Sequence, residues 1–466
     1  MTSTKKKILI LLPDGVSLRN FAYTSFYKMG IEKGYEVVFW NATPFDLESL
    51  GFSQVALPNQ KIHWLTDIFK NTRKQIEIRL FAKRDKDPIY FEYLFPLSYK
   101  SVKAVVKSTM VRWFTFWNTS EHGLKKVCAK MINLEKKTPY YQACLKVLER
   151  EQPDLVFCAS QRSVIAIAPL TAAKALGIPT TTFIFSWDNV PKATTVVTTD
   201  YYLVWSDLMK RELLHYHLDI DESQIKVTGT PQFEPHYEKE RLQTREDFCQ
   251  QYQLDPNAKY LCYSGDDHTT SPKDELYLRD VSKAVRDLNA LGKNVKMIFR
   301  RCPVDFSGRH DAVLKEFEDI LVDIPPLWKK IGGSWNTILP TAEDLNLQAN
   351  IIAHTEGVIN LASSMVFDYV AHGKPCAYMN YNYLNPAEEA QKGMYLYDYV
   401  HFRSMPSKEA VIWMNTPEEI AQNIQRMLGG ASKTVAAAQQ WFEIINLHSP
   451  TMASERIWDQ FKETIN

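Results

Sequence analysis

The chain has 466 residues, 45% of them apolar, which is long for one core and suits two domains of ordinary size. Its 55 Lys and Arg answer 54 Asp and Glu, and a net charge of +1 excludes nucleic-acid binding driven by bulk charge. No nucleic-acid partner is expected.

Residues 7–12 (KILILL) form a short apolar run that reads as a buried strand. The apolar residues before Pro13 and Asp14 are too few for a signal sequence. No stretch approaches the ~20 apolar residues of a spanning helix, so a cytoplasmic location is expected. After the Pro13-Asp14-Gly15 turn, Ser17 is placed to cap a helix carrying Phe21, Phe26 and Met29 towards Gly34. A strand at 36–40 completes an opening βαβ unit. The alternation resumes with strand 155–159 and a helix over 165–176, then strands 180–185 and 201–205. A helix over 207–215 and a strand at 224–227 follow, and Gly229-Thr230-Pro231 ends this half.

The polar stretch after it (EPHYEKERLQTRED) marks a domain boundary. A second alternation follows: strand 260–263, helix 273–291 and strand 295–300, then strands 337–339, 358–361 and 375–379. Two or three amphipathic helices lie beyond Pro417. The expected organisation is two successive doubly wound α/β domains, 1–235 and 236–430, with helices over 431–466 packing back on the body. The seven cysteines are widely spaced with no CxxC pair, as expected of reduced thiols.

A helical insertion over 61–150 interrupts the first domain. Between Lys70 and Lys137 sixteen Lys and Arg meet six Asp and Glu, a net of +10, so the rest of the chain sums to −9. Aromatic Trp113, Phe114, Phe116 and Trp117 lie among these charges. The segment reads either as a solvated basic face or as a docking surface for anionic lipid headgroups or a polyanionic glycan. The lipid reading would place the protein peripherally at the inner membrane face.

A doubly wound sheet binds its ligand beyond the carboxyl ends of its strands. With two such domains those ends are expected to face each other across a cleft. The strand at 358–361 runs into Ser363 and Ser364, with Glu356 upstream and Asp368 on the following helix. Serines at a helix start suit phosphate binding through hydroxyls, backbone N–H groups and the helix dipole; plain capping by Ser363 explains one of them equally well. His215 and His217 form an HxH without a third ligand, which reads as a solvated helix end, and no metal site is expected.

The stretch LASSMVFDYVAHGKPCAYMNYN resembles the phosphate-binding helix of CDP-glycerol glycerophosphotransferases and related capsule glycosyltransferases. Phe185-Ser186-Trp187-Asp188-Asn189 is similar to a segment of bacterial polysaccharide glycosyltransferases with the GT-B fold, two Rossmann-like domains facing a cleft. Residues 227–233 (VTGTPQF) resemble the sequence closing the first domain of such proteins. The resemblance implies a nucleotide-sugar donor held by the second domain, a glycan or lipid-linked acceptor held by the first, and no cofactor or metal.

On that reading the donor residues are Gly265, His268 and Thr269 in the loop after the 260–263 strand, Arg300 and Arg301 after the next, and Thr341, Glu356, Ser363, Ser364 and Asp368. The acceptor residues are Gly15, Ser186, Trp187, whose indole is expected to stack on a sugar, and Asn189. Asp14 and Asp188 are the candidate bases at strand ends, and Arg300 is expected to neutralise the leaving group. Three other functions stay open. A CDP-polyol transferase is one, although Arg301-Cys302-Pro303 stands where a His-Pro is expected. The others are a nucleotide-sugar 2-epimerase and a non-catalytic nucleotide-sugar-binding subunit.

Overall fold

The computed structural model describes residues 5–332, 337–383 and 394–465. The chain divides into two compact units, one of residues 1–231 with 445–466, the other of residues 232–444.

The first unit is built on a seven-stranded parallel sheet. Its strands are β1 (Lys7–Leu12), β2 (Glu36–Asn41), β3 (Gln54–Ala56), β4 (Leu155–Cys158), β5 (Thr180–Phe183), β6 (Tyr201–Val204) and β7 (Ile225–Val227), in the order β3-β2-β1-β4-β5-β6-β7. The chain direction across the sheet reverses between β1 and β4, which makes that pair its topological switch point. Ile8 to Leu12 are all fully buried, so a continuous apolar run identifies a parallel strand covered on both faces.

Two expectations for this unit change. The helix after Ser17 is broken into Leu18–Phe21 and Ser25–Glu32, and Thr24 caps the second piece by accepting from the Phe26 N–H. Ser17 makes no side-chain cap; its hydroxyl donates to Asp14 instead. His217 is buried against Phe81, not solvated, and burial pushes its imidazole down to about 3. The insertion supplies four helices, Thr66–Asp85, Val102–Asn118, Glu121–Glu135 and Pro139–Glu151.

The terminal helix Ala453–Ile465 belongs to the first unit. Its Trp458 stacks on Phe26 and Tyr35, each at 4.9 Å between ring centroids, and donates Nε1–H to the Phe26 carbonyl at 2.9 Å. Gly30 makes room for that indole, because a Cβ there would stand 2.1 Å from Trp458 Cζ2.

The second unit holds a six-stranded parallel sheet. Its strands are β8 (Lys259–Ser264), β9 (Val295–Arg300), β10 (Leu321–Asp323), β13 (Val358–Asn360), β14 (Cys376–Met379) and β15 (Ile412–Met414), in the order β10-β9-β8-β13-β14-β15. Its switch point lies between β8 and β13. Two short strands, β11 (Lys329–Lys330) and β12 (Ile338–Leu339), form a separate antiparallel ribbon. The predicted 337–339 strand is therefore outside the main sheet. The helices Ile420–Leu428 and Ser432–Ile445 are also in this chain region.

All seven cysteines are free thiols. Among the described residues no helix is long and apolar enough to cross a membrane, and no group of three or more His, Cys, Asp or Glu is placed to hold a metal ion.

Candidate functional site

The switch point of the second unit brings together two loops read from the sequence as donor-binding. Val358 and Ile359 of β13 pair with Cys262 and Tyr263 of β8. The loop from Gly265 and the turn from Leu361 therefore leave neighbouring strands roughly 5 Å apart.

The β13 turn is held from several sides. Asn360 Oδ1 accepts the Ser363 N–H at 3.0 Å, Tyr378 donates its hydroxyl to the Ser363 carbonyl at 2.8 Å, and Ser363 Oγ accepts the Met365 N–H at 3.3 Å. Ala362 sits in the left-handed region at φ +56°, a conformation that disfavours a Cβ by about 1–2 kcal/mol and clusters at functional sites. The helix that follows, Met365–Val370, has only six residues. Its dipole is correspondingly short, and the hydroxyls and local N–H groups carry more of any phosphate contact. Ser363 is a cap, whereas the Ser364 side chain makes no capping bond.

The β8 loop is packed closely. A Cβ on Gly265 would stand 3.1 Å from the Phe299 ring and 3.2 Å from Asp274 Oδ2, so a side chain there fits only if these neighbours give by a few tenths of an ångström. Asp267 Oδ1 accepts the Thr269 N–H at 2.7 Å and Oδ2 accepts the Thr270 hydroxyl at 3.1 Å. Burial pushes the Asp267 carboxyl up, but these donors outweigh it and hold it below the usual range. Asp266 goes the other way: burial, then Asp274 and Asp267, raise its carboxyl well above the ordinary value. His268 and Thr269 are exposed at the loop tip.

Arg309, which the sequence reading missed, pins this loop. Its Nη1 donates to the Ser271 carbonyl and its Nη2 to the Asp266 carbonyl, both at 2.5 Å, while Nε meets Asp305 at 2.7 Å.

Other predicted donor residues have structural partners. Arg300 is buried, and its Nη2 contacts both oxygens of Asp344 at 2.9 Å. Arg301 pairs with Asp323 at 2.5 Å. Both arginines are thus paired with the protein's own carboxylates, while Arg300 Nη1 and Arg301 Nε are buried with no hydrogen-bond partner among the described residues. Thr341 caps the helix Ala342–His354 and donates to the Leu327 carbonyl at 2.9 Å. Asp368 is buried and accepts from His236 at 2.8 Å.

Glu356 precedes β13, and its N–H meets the carbonyl of Tyr260, near the start of β8. That is the amino end of β13, opposite to Ser363 at its carboxyl end and about 15 Å of extended chain away. Lys374 is nearby at this end, donating to the carbonyls of Ile352, Ala353 and Thr355 at 2.5–2.7 Å. It closes the carboxyl end of the helix Ala342–His354.

In the first unit the switch point places Asp14 and Gly15 after β1 beside Ser160 and Gln161 after β4. Asp14 is half-buried; its Oδ1 accepts the Ser17 N–H at 3.2 Å and hydroxyl at 3.1 Å. Its Oδ2 has no partner among the described residues, which leaves a lone pair for a proton.

Asp188 is ion-paired with Lys192 and accepts from the Asn189 amide at 3.0 Å, a structural use of that carboxylate. Asn189 is itself buried, receiving the Gln161 amide at 3.0 Å. Trp187 is only 7% exposed, so its indole is largely packed within the protein. Ser186 spends its carbonyl on the Asn189 N–H. Gln161 also accepts the Phe185 N–H at 2.9 Å and thereby ties the β4 and β5 ends together. It follows a strand end directly, the one sequence signal that marks it.

No family model and no curated protein sequence matches this chain. Solved structures do match over its whole length. A Listeria monocytogenes protein designated a UDP-N-acetylglucosamine 2-epimerase superposes with a TM-score of 0.55 at 11% identity, covering 99% of this chain and 98% of its own. A glycosyltransferase from Rickettsia africae superposes at 0.51 and 12% identity, covering 99% of each chain. A second UDP-N-acetylglucosamine 2-epimerase does so at 0.51 and 11% identity, over 98% of this chain and 95% of that one. What this chain shares with all three is its fold: two Rossmann-like α/β domains of the GT-B type.

Proposed function

We propose that the protein transfers a sugar from a nucleotide-sugar donor to a glycan or lipid-linked acceptor. The observation that carries this reading is the switch point of the second unit, where the strained Ala362 turn presents Ser364 beside the closely packed β8 loop at Gly265. Open α/β sheets take phosphorylated ligands at this position. Proteins of the same fold named for UDP-N-acetylglucosamine chemistry and for glycosyl transfer support the donor class. The residues assigned to the donor are Ser363, Ser364, Gly265, His268 and Thr269, with Arg309 and Asn360 holding them.

In the transfer, the acceptor hydroxyl oxygen bonds to the anomeric carbon as the bond from that carbon to the diphosphate breaks. A general base takes the hydroxyl proton, for which Asp14 Oδ2 is the candidate offered by the first unit, and the nucleotide leaves with the bonding electrons. Epimerisation of a nucleotide sugar is the second reading, favoured by the two epimerase structures of similar fold. The exposed aromatic helix of the insertion has no use in that reaction.

Donor turnover measured with and without acceptor, over UDP-, GDP-, CMP- and CDP-linked sugars and CDP-glycerol, separates these readings. Transfer predicts acceptor-dependent release of the nucleotide. An epimerase would convert the sugar without acceptor, and a binding subunit would do neither. Asp14→Asn keeps the Ser17 contacts but removes the base, so turnover falls by about 100-fold or more. Unchanged rates in both Asp14→Asn and Ser364→Ala would overturn the assignment.

A further inference from the structure

The helix Val102–Asn118 in the insertion is turned inside out. Its outward side carries Val102, Val105, Val106, Trp113, Phe116 and Trp117, and its inward side buries Ser108 and Thr115 around Val111. The exposure is large: 83% for Val102, 77% for Phe116, 68% for Trp117 and 59% for Trp113. A helix at a protein–water surface has the reverse pattern, and a contiguous apolar face of this size marks an interaction site. Phe95 and Tyr99, in the segment just before the helix, are exposed too.

Basic groups border the apolar side chains. Lys103 and Arg112 lie among the exposed positions of the same helix, and Lys125 and Lys126 are exposed on the next one, Glu121–Glu135. None of these four makes an ion pair among the described residues, whereas Lys107, Arg84 and Arg73 are paired with Asp67, Glu121 and Glu77.

We propose that the face of Val102–Asn118 docks on a bilayer bearing anionic lipid headgroups, with the helix in the interfacial plane. Valine, Trp and Phe enter the boundary between headgroups and acyl chains, and the flanking Lys and Arg meet the phosphates. Seventeen residues of helix lay about 25 Å of this face along the surface. A second copy of this chain is the poorer occupant, because it brings two segments of net +10 face to face. A polar glycan gives the valines nothing to bury against. The docking surface does not depend on the transfer reaction and uses none of the residues assigned to it.

The test is co-sedimentation of the full chain with vesicles of phosphatidylcholine, with or without about 30% phosphatidylglycerol. It is repeated with the combined variant Trp113→Ser, Phe116→Ser and Trp117→Ser, whose circular dichroism and melting temperature report its fold. The expected result is binding to the anionic vesicles that weakens about tenfold or more in the variant, in neutral vesicles and at high salt. Absence of binding by the wild type, or equal binding by the folded variant, overturns the proposal. So does a dimer in light scattering that the variant dissolves while vesicles bind neither form.

Discussion

Asp368 Oδ1 lies 2.8 Å from His236 Nε2, and the far nitrogen of that imidazole, Nδ1, lies 3.2 Å from His372 Nε2. The His236 imidazole thus bridges the Asp368 carboxylate and the His372 ring. His236 stands in the segment Pro231–Tyr237, and Asp368 on the helix that follows Ser363 and Ser364. The contact thus anchors the turn assigned to the donor phosphates. Asp368→Ala removes the partner of a buried imidazole's Nε2 and is expected to cost about 1–3 kcal/mol in urea unfolding. Nucleotide-sugar affinity is expected to weaken with it.

The same chain gives a pH dependence. Burial, then His236 and Lys374, push the His372 imidazole from 6.5 down to about 4. Between those values the unfolded chain binds a proton that the folded chain does not, so this group costs stability as pH falls from 6.5 towards 4. Glu77, raised by burial to about 7, acts with the opposite sign between 4.5 and 7. The comparison must therefore be between variants. The melting temperature of His372→Asn is expected to fall less than that of the wild type on acidification from pH 6.5 to 4.

Arg300 and Asp344 form a buried pair, and Asp344 also accepts the Trp328 indole N–H at 2.6 Å and the Leu327 N–H at 2.8 Å. Removing the carboxylate strands a guanidinium away from water. Asp344→Ala is expected to destabilise by about 3–5 kcal/mol, and the double replacement Arg300→Met with Asp344→Leu by much less. Chemical denaturation of the three proteins measures this.

Gly30→Ala forces Trp458 out of its stack on Phe26. The overpacking is expected to cost about 1–3 kcal/mol and to raise hydrogen exchange across Ala453–Ile465, while the second unit keeps its protection.

What the sequence disclosed follows from burial. β1 and β8 were legible because parallel strands covered on both faces read as unbroken apolar runs. Of the three-residue strands, β7 and β13 were legible because Gly229-Thr230-Pro231 and Ser363-Ser364 follow them, whereas β3, β10 and β15 have no such neighbouring signal. Ser363 and Ser364 were legible as a strand running into a helix, but nothing about Ala362 announces a left-handed turn. Glu356 was grouped with the serines because it is close to them in sequence, but the intervening strand places it at the other end of β13. His236 could not be found at all, as its partner is 132 residues away. The burial of Trp187 was not legible, because a strand-end position says nothing about what later packs over it.

The most direct test is the binding of nucleotide diphosphate sugars to the wild type and to Ser364→Ala, measured as a thermal shift. Stabilisation follows RT ln(1 + [L]/Kd). The account predicts a shift with one nucleotide class that shrinks markedly in Ser364→Ala while the ligand-free melting temperature stays the same. A shift of equal size in both proteins would contradict the assigned phosphate site, and no shift with any nucleotide would contradict the donor itself.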